Sequence, residues 1–175
     1  MDVYKIDAAR CVCFTGHRSF TSDPDTLRLR LQLAILELEA RGYRQFLCGM
    51  ALGFDMLAAQ TVLELRRERP LTLTAVMPCS ADNYVGHWSD AQLKQLDALL
   101  QQADRVITLS QLYEAGCMAR RNRFLVTNSS FVLACQEREQ GGTWQTVQLA
   151  EQLGRPVWNL ADGAAGRQSI PALLP

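Results

Sequence analysis

The chain has 175 residues, 48% of them apolar and 21% charged, with a formal net charge of zero. That is the size and composition of one globular domain able to bury a core, and its neutrality provides no basic field to draw in a phosphate backbone, so nucleic acid is not an expected partner. No stretch reaches the roughly 18 apolar residues of a membrane span, and Met1-Asp2-Val3-Tyr4-Lys5 lacks a signal peptide's apolar core, which leads to a cytoplasmic expectation.

Cys11-Val12-Cys13-Phe14-Thr15 is a compact apolar run closed by Gly16, the pattern of a buried strand. Gly16-His17-Arg18-Ser19-Phe20 follows as a loop, and Thr21-Ser22-Asp23-Pro24-Asp25 supplies cap and helix-start residues. Leu27, Leu31, Ala34, Ile35 and Leu38 then recur at helical steps until Gly42. A second strand over 43–48 runs into Gly49-Met50-Ala51-Leu52-Gly53-Phe54-Asp55, a glycine turn opening a helix from Met56 that Pro70 closes. Glycines permit a tight bend or the close approach of a ligand, and a helix start leaves amide N–H groups free for an anion.

The run 71–77 is a third strand, stopped by Pro78. A polar and aromatic connection over 79–89 carries Asn83, Tyr84, His87 and Trp88 into a helix marked by Leu93, Leu96, Leu99 and Leu100. Residues 104–109 form a fourth strand and 110–116 a second polar loop. The helix from Met118 to Val126 has Arg120, Arg121 and Arg123 in its early turns, where positive charge opposes the helix dipole unless an anion offsets it. A fifth strand over 129–135, a flexible polar connection 136–140, the glycine turn Gly141-Gly142-Thr143, a helix over 144–153 and a sixth strand over 157–160 complete the order. The Gly-, Ala- and Pro-rich remainder reads as a loosely packed tail.

Alternating strands and helices predict an α/β, doubly wound, mostly parallel sheet of about six strands with helices on both faces, as a single domain with its core at about 11–160 and a tail over 161–175. In such a sheet ligands bind beyond the carboxyl ends of the strands. The loops predicted at that edge carry Gly16, His17 and Arg18; Gly49, Met50, Gly53 and Asp55; and Gly141, Gly142 and Thr143, with Arg120, Arg121 and Asn122 entering on a helix. Together they suit a phosphate or diphosphate. Each has a plainer role beside that one. Asp55 can cap its helix, Arg18 can pair with a surface carboxylate, and His17 is either a general base or a hydrogen-bonding loop residue. Tyr84 and Trp88 cover a base or pack the loop. Adjacent helical positions diverge by about 100°, so only one of Arg120 and Arg121 can face the site. The six cysteines have no C-x-x-C pair or neighbouring histidines and read as small buried hydrophobes in a reducing compartment, with no metal expected.

With these motifs in order, the chain resembles the SLOG superfamily, and more narrowly its YpsA-like branch, over roughly residues 11 to 160. The resemblance implies a Rossmann-like fold with a pocket for a nucleotide or nucleotide derivative, no further cofactor, and a possible homodimer, because the family often pairs. Sibling branches include the DNA-processing protein DprA and the LOG phosphoribohydrolases. The latter carry P-G-G-x-G-T-x-x-E, whose glutamate assists cleavage of an N-glycosidic bond. Here Gly141-Gly142-Thr143-Trp144-Gln145-Thr146 lacks the proline and has Thr146 where a simple alignment places the carboxylate; Asp55 and Glu114 are the alternatives, placed by no motif. The expectation is therefore a module that binds a small phosphorylated nucleotide-like ligand, as a sensor or regulator. The alternatives are a LOG-like nucleoside 5′-monophosphate phosphoribohydrolase and a protein-interaction scaffold with a vestigial pocket.

Overall fold

The computed structural model describes residues 5–161, so the expected tail lies, but for Ala161, outside the described residues. After a 3-10 turn at Ala8–Arg10 the chain forms Cys11–Gly16 (β1), Pro24–Ala40 (α1), Gln45–Cys48 (β2), Phe54–Leu65 (α2), Thr72–Met77 (β3), Ala81–Tyr84 (α3), Asp90–Gln102 (α4), Arg105–Thr108 (β4), Cys117–Thr127 (α5), Phe131–Cys135 (β5), Gly141–Gln152 (α6) and Val157–Asn159 (β6). Two details differ from the sequence expectation. The connection after β3 contains α3, a single turn too short to show a helical period, and α6 begins on Gly141, so the glycines are its first turn and not a loop before it.

All strand pairs are parallel, in the order β4-β3-β2-β1-β5-β6. From central β1 the chain winds outward through β2 and β3 to β4, a short edge strand with alternating burial. Helix α5 then carries it back to β5, on the other side of β1. Successive β1 side chains serve two cores. Val12 and Phe14 pack with Leu27, Leu31 and Ile35 of α1 and with Phe54 and Val62 of α2, while Cys11 and Cys13 pack with Leu125 and Val126 of α5 and Val147 and Ala150 of α6. Burial on both faces is why β1 is apolar throughout and not alternating. All six cysteines are free and buried, five of them in these layers.

The direction of winding reverses between β1 and β5. Their following connections part toward opposite faces, which opens a crevice at the carboxyl edge.

Candidate functional site

That crevice is a cavity of about 340 Å³. Its walls come from the end of β1 and the following loop, from α5, and from the start of α6. Of the residues singled out in the sequence, Gly16, His17, Arg18, Asp55, Arg121, Asn122, Gly142 and Thr143 line it, and Gly49, Met50, Gly53, Arg120 and Gly141 do not.

The α6 start is the feature most open to a ligand. Its preceding residue, Gln140, provides no side-chain cap, so the first-turn amides of Gly142 and Thr143 meet no capping side chain. A Cβ at Gly142 would meet only Asn122 Nδ2, at 3.7 Å. Gly141, with φ +79°, makes the turn into the helix and is exposed.

Around this helix start stand three arginines. Arg18 is exposed and has no ion pair among the described residues, so the surface-carboxylate role considered for it is not seen. Arg138 lines the crevice and donates from Nη2 to the Ser19 carbonyl at 3.2 Å. The sequence reading missed it inside a connection taken for flexible; its position directly after a strand and before the glycine turn was the available signal. Arg121 is buried, whereas its neighbour Arg120 points to solvent and pairs with Glu114 at 3.0 Å, which decides between them and places Glu114 away from the crevice.

The β2–α2 connection departs from expectation. Its glycines make room for the protein's own groups. A Cβ at Gly49 would collide with the Arg121 guanidinium, whose Nη1 hydrogen-bonds the Gly49 carbonyl. A Cβ at Gly53, where φ is +82°, would strike the Arg18 carbonyl, and the α2 amide of Phe54 donates to the His17 carbonyl at 3.2 Å. Met50 is fully buried at φ 55°, a left-handed conformation uncommon for a side-chain-bearing residue, with its carbonyl 3.5 Å from the Tyr84 hydroxyl. This helix start is filled by protein, whereas the α6 start is open to the crevice.

Asp55 stands in the first turn of α2 without capping it, since the cap position is Gly53 and no side chain bonds there. Its Oδ2 accepts from the Ala51 amide at 3.3 Å, and the carboxyl also lines the crevice, 3.8 Å from Arg121 Nη1. Burial pushes its pKa up to about 6, outweighing Arg121, the Ala51 amide and Arg18, which all favour the carboxylate. His17 is buried in the wall, with no hydrogen-bond partner for Nε2 among the described residues. Burial, then the nearby Arg138, holds its pKa below the usual histidine range despite Glu137. Tyr84 and Trp88 stack edge to face at 5.3 Å and pack against the core without lining the crevice. Thr146, where the sibling glutamate would stand, is buried and donates from Oγ1 to the Gly142 carbonyl at 2.7 Å. Among the described residues no three His, Cys, Asp or Glu groups cluster to hold a metal, and no helix is long and apolar enough to cross a membrane.

Known proteins share this framework. The chain is 26% identical over 130 residues to a UPF0398 protein of Halalkalibacterium halodurans, covering 73% of this chain and 66% of the relative. It is 30% identical over 95 residues to a UPF0398 protein of Brevibacillus brevis, covering 53% and 50%. The chain thus matches about half to two thirds of the length of these relatives. Among solved structures it is similar to DNA processing protein A of Streptococcus pneumoniae, with TM-score 0.65 and 18% identity over 89% of this chain and 51% of that one. It is also similar to DNA processing protein A of Helicobacter pylori, described for its single-stranded DNA binding, with TM-score 0.61 and 20% identity over 87% and 65%. At these identities the likeness is one of fold. Residues 12–153 match the model of the YspA SLOG family, and the chain belongs to that family.

Proposed function

We propose that this protein binds a small phosphorylated, nucleotide-like ligand in the β1–β5 crevice and acts as a sensor or regulatory module. The observation that carries this reading is the α6 start: uncapped, glycine-lined and open to a cavity that also holds Arg18 and Arg138. Backbone N–H groups at a helix start and guanidinium forks are the two protein groups best suited to phosphate oxygens. The cavity, at about 340 Å³, stands at the small end of the roughly 300–1,000 Å³ range of ligand sites, suiting a mononucleotide-sized molecule.

One observation favours a second reading, the phosphoribohydrolase. Asp55 places a carboxyl of raised pKa in the same cavity. In that reaction water adds to the anomeric carbon, the N-glycosidic bond breaks, and the base leaves with a proton, giving ribose 5-phosphate. Asp55 would act as the base toward water or stabilise the oxocarbenium-like state. Sugar cleavage commonly uses two carboxyl groups, and Asp55 is the one carboxylate lining the crevice among the described residues. Binding is therefore preferred.

The test is incubation with mono-, di- and cyclic nucleotides, ADP-ribose, NAD and a short single-stranded DNA, following melting temperature and free base together. A ligand at about one hundred times its Kd adds roughly 2.7 kcal/mol, a rise on the order of 5 to 10 °C. Release of base with ribose 5-phosphate would replace the binding reading by the hydrolase. A response to the DNA alone would move the partner to nucleic acid, and silence across the panel would leave the scaffold.

A further inference from the structure

The crevice contains an arrangement that simple anion binding does not require. Asp55 and Arg121 are both buried, at 4% and 5% exposure, and both line the cavity. They stand 3.8 Å apart at Oδ2 and Nη1, beyond hydrogen-bond length, because Nη1 is committed to the Gly49 carbonyl. Arg121 Nε is buried with no hydrogen-bond partner among the described residues. The guanidinium is thus held in the wall with unused donor capacity, its charge balanced across a gap by a carboxylate that faces the same cavity.

We propose that anion binding in the crevice is coupled to proton uptake by Asp55: the incoming anion takes over the positive charge of Arg121, and the displaced carboxylate is neutralised. This rests on the reading that the crevice takes an anion. A second negative charge brought beside a buried carboxylate favours its protonated form. Asp55 can respond in the neutral range because burial has already raised its pKa to about 6.

The thiols, the phenol and the arginines facing Asp55 cannot take up that proton. From β1, Cys13 is pushed up to about 12, and from β2, Cys48 is raised well above its ordinary value, both by burial. Tyr84 on α3 is also raised by burial. All three are neutral through the range concerned. Arg121 of α5 and Arg18 of the β1–α1 loop carry fixed positive charge. His17, on that same loop, lines the cavity and is shifted downward by burial, and the Asp55→Asn variant separates its response from that of Asp55. Ligand affinity would then report acidification, tightening as pH falls toward 6.

Sulfate is the probe, since it stays doubly charged across the range and does not titrate itself. Its Kd is measured from pH 5.5 to 8 by calorimetry on the wild-type chain and on Asp55→Asn. Wild-type affinity should fall by about tenfold per pH unit above 6.5, and the variant should show no such slope and bind more tightly than wild type at pH 8. Calorimetry in buffers of different ionisation enthalpy provides a second readout needing no variant: close to one proton taken up per bound sulfate at pH 7.5. A flat wild-type profile without proton uptake overturns the coupling, and so does a variant that folds and keeps the wild-type slope; in both cases the crevice still binds its anion. Failure of sulfate to bind even at pH 5.5 also counts against the coupling, and only failure of the nucleotide panel as well takes the binding reading with it.

Discussion

Asp55 ties the crevice to the stability of the fold. Its folded-state pKa of about 6 lies above that of an unfolded aspartate, so the folded chain holds this proton more tightly. The contribution is full below about pH 4 and is lost as pH rises through 6, on the order of 3 kcal/mol for a shift of about two units. Denaturant unfolding of wild type and Asp55→Asn between pH 4 and 7 should show the difference moving in the variant's favour by about that amount; a constant difference would contradict the assigned burial. Two glycines make a paired prediction at the same scale. Gly49→Ala must displace the buried Arg121 guanidinium and should cost about 2–4 kcal/mol in unfolding free energy. Gly142→Ala meets only Asn122 Nδ2 at 3.7 Å and should change stability by less than about 1 kcal/mol while weakening the nucleotide-dependent rise in melting temperature. The sequence marked both as close-approach positions. It could not say what approaches, because the group that fills the space beside Gly49 belongs to Arg121, 72 residues further on.

At the scale of elements, the crevice is held in shape by a tie between the two connections that flank it. Glu137, in the β5–α6 connection, accepts from the Thr21 amide at 2.8 Å and from the Ser22 amide and hydroxyl at 3.0 Å, while Arg138 beside it reaches the Ser19 carbonyl. Desolvation pushes the Glu137 pKa up, but these hydrogen bonds outweigh it and leave the group below the ordinary glutamate range. Its stabilisation is therefore present above the unfolded glutamate pKa and lost as pH falls through the folded one. Glu137→Ala should cost about 1–2 kcal/mol and speed amide exchange at Thr21 and Ser22 at least about tenfold, with Glu137→Gln between the two; unchanged exchange at those amides would remove the tie. Strand and helix periods, which made β1 to β6 and the five longer helices legible, contain nothing about such a contact. Glu137 and Thr21 are 116 residues apart, and a polar connection looks flexible until its partner is known. The one-turn α3 was illegible for a simpler reason, being shorter than the repeat that would reveal it.

At the scale of the molecule, the alternation of strands and helices was enough to give a parallel sheet, but the strand order was not, since no local pattern says on which side of β1 the fifth strand will lie. Loop chemistry at the carboxyl edge pointed to the crevice before the order was known, and the β1–β5 reversal explains why the residues of α5 and α6 meet those after β1. The cysteines provide a measure of how firmly this arrangement is held. Cys11 and Cys13 belong to the core under α5 and α6, whereas Cys48, Cys79 and Cys135 belong to the core under α1, α2 and α4. Burial raises Cys13 to about 12 and Cys11 and Cys48 upward as well, so neither exposure nor thiolate is available for reaction in the folded chain. A thiol reagent at pH 8 should consequently label these residues only through opening of the fold, in contrast to immediate labelling in denaturant. Mass-spectrometric mapping then separates two modes: equal rates at Cys13 and Cys48 mean that both layers open together, and faster labelling of Cys11 and Cys13 means that the α5–α6 layer lifts first. Where closing outpaces the reagent, a nucleotide bound across the β1–β5 crevice at about one hundred times its Kd should slow labelling through global opening about a hundredfold. Rapid labelling of Cys13 or Cys48 in the native chain would contradict the packing on both faces of β1 and β2, and a bound ligand that left the Cys13 rate unchanged would show that the α5–α6 layer opens without disturbing its site.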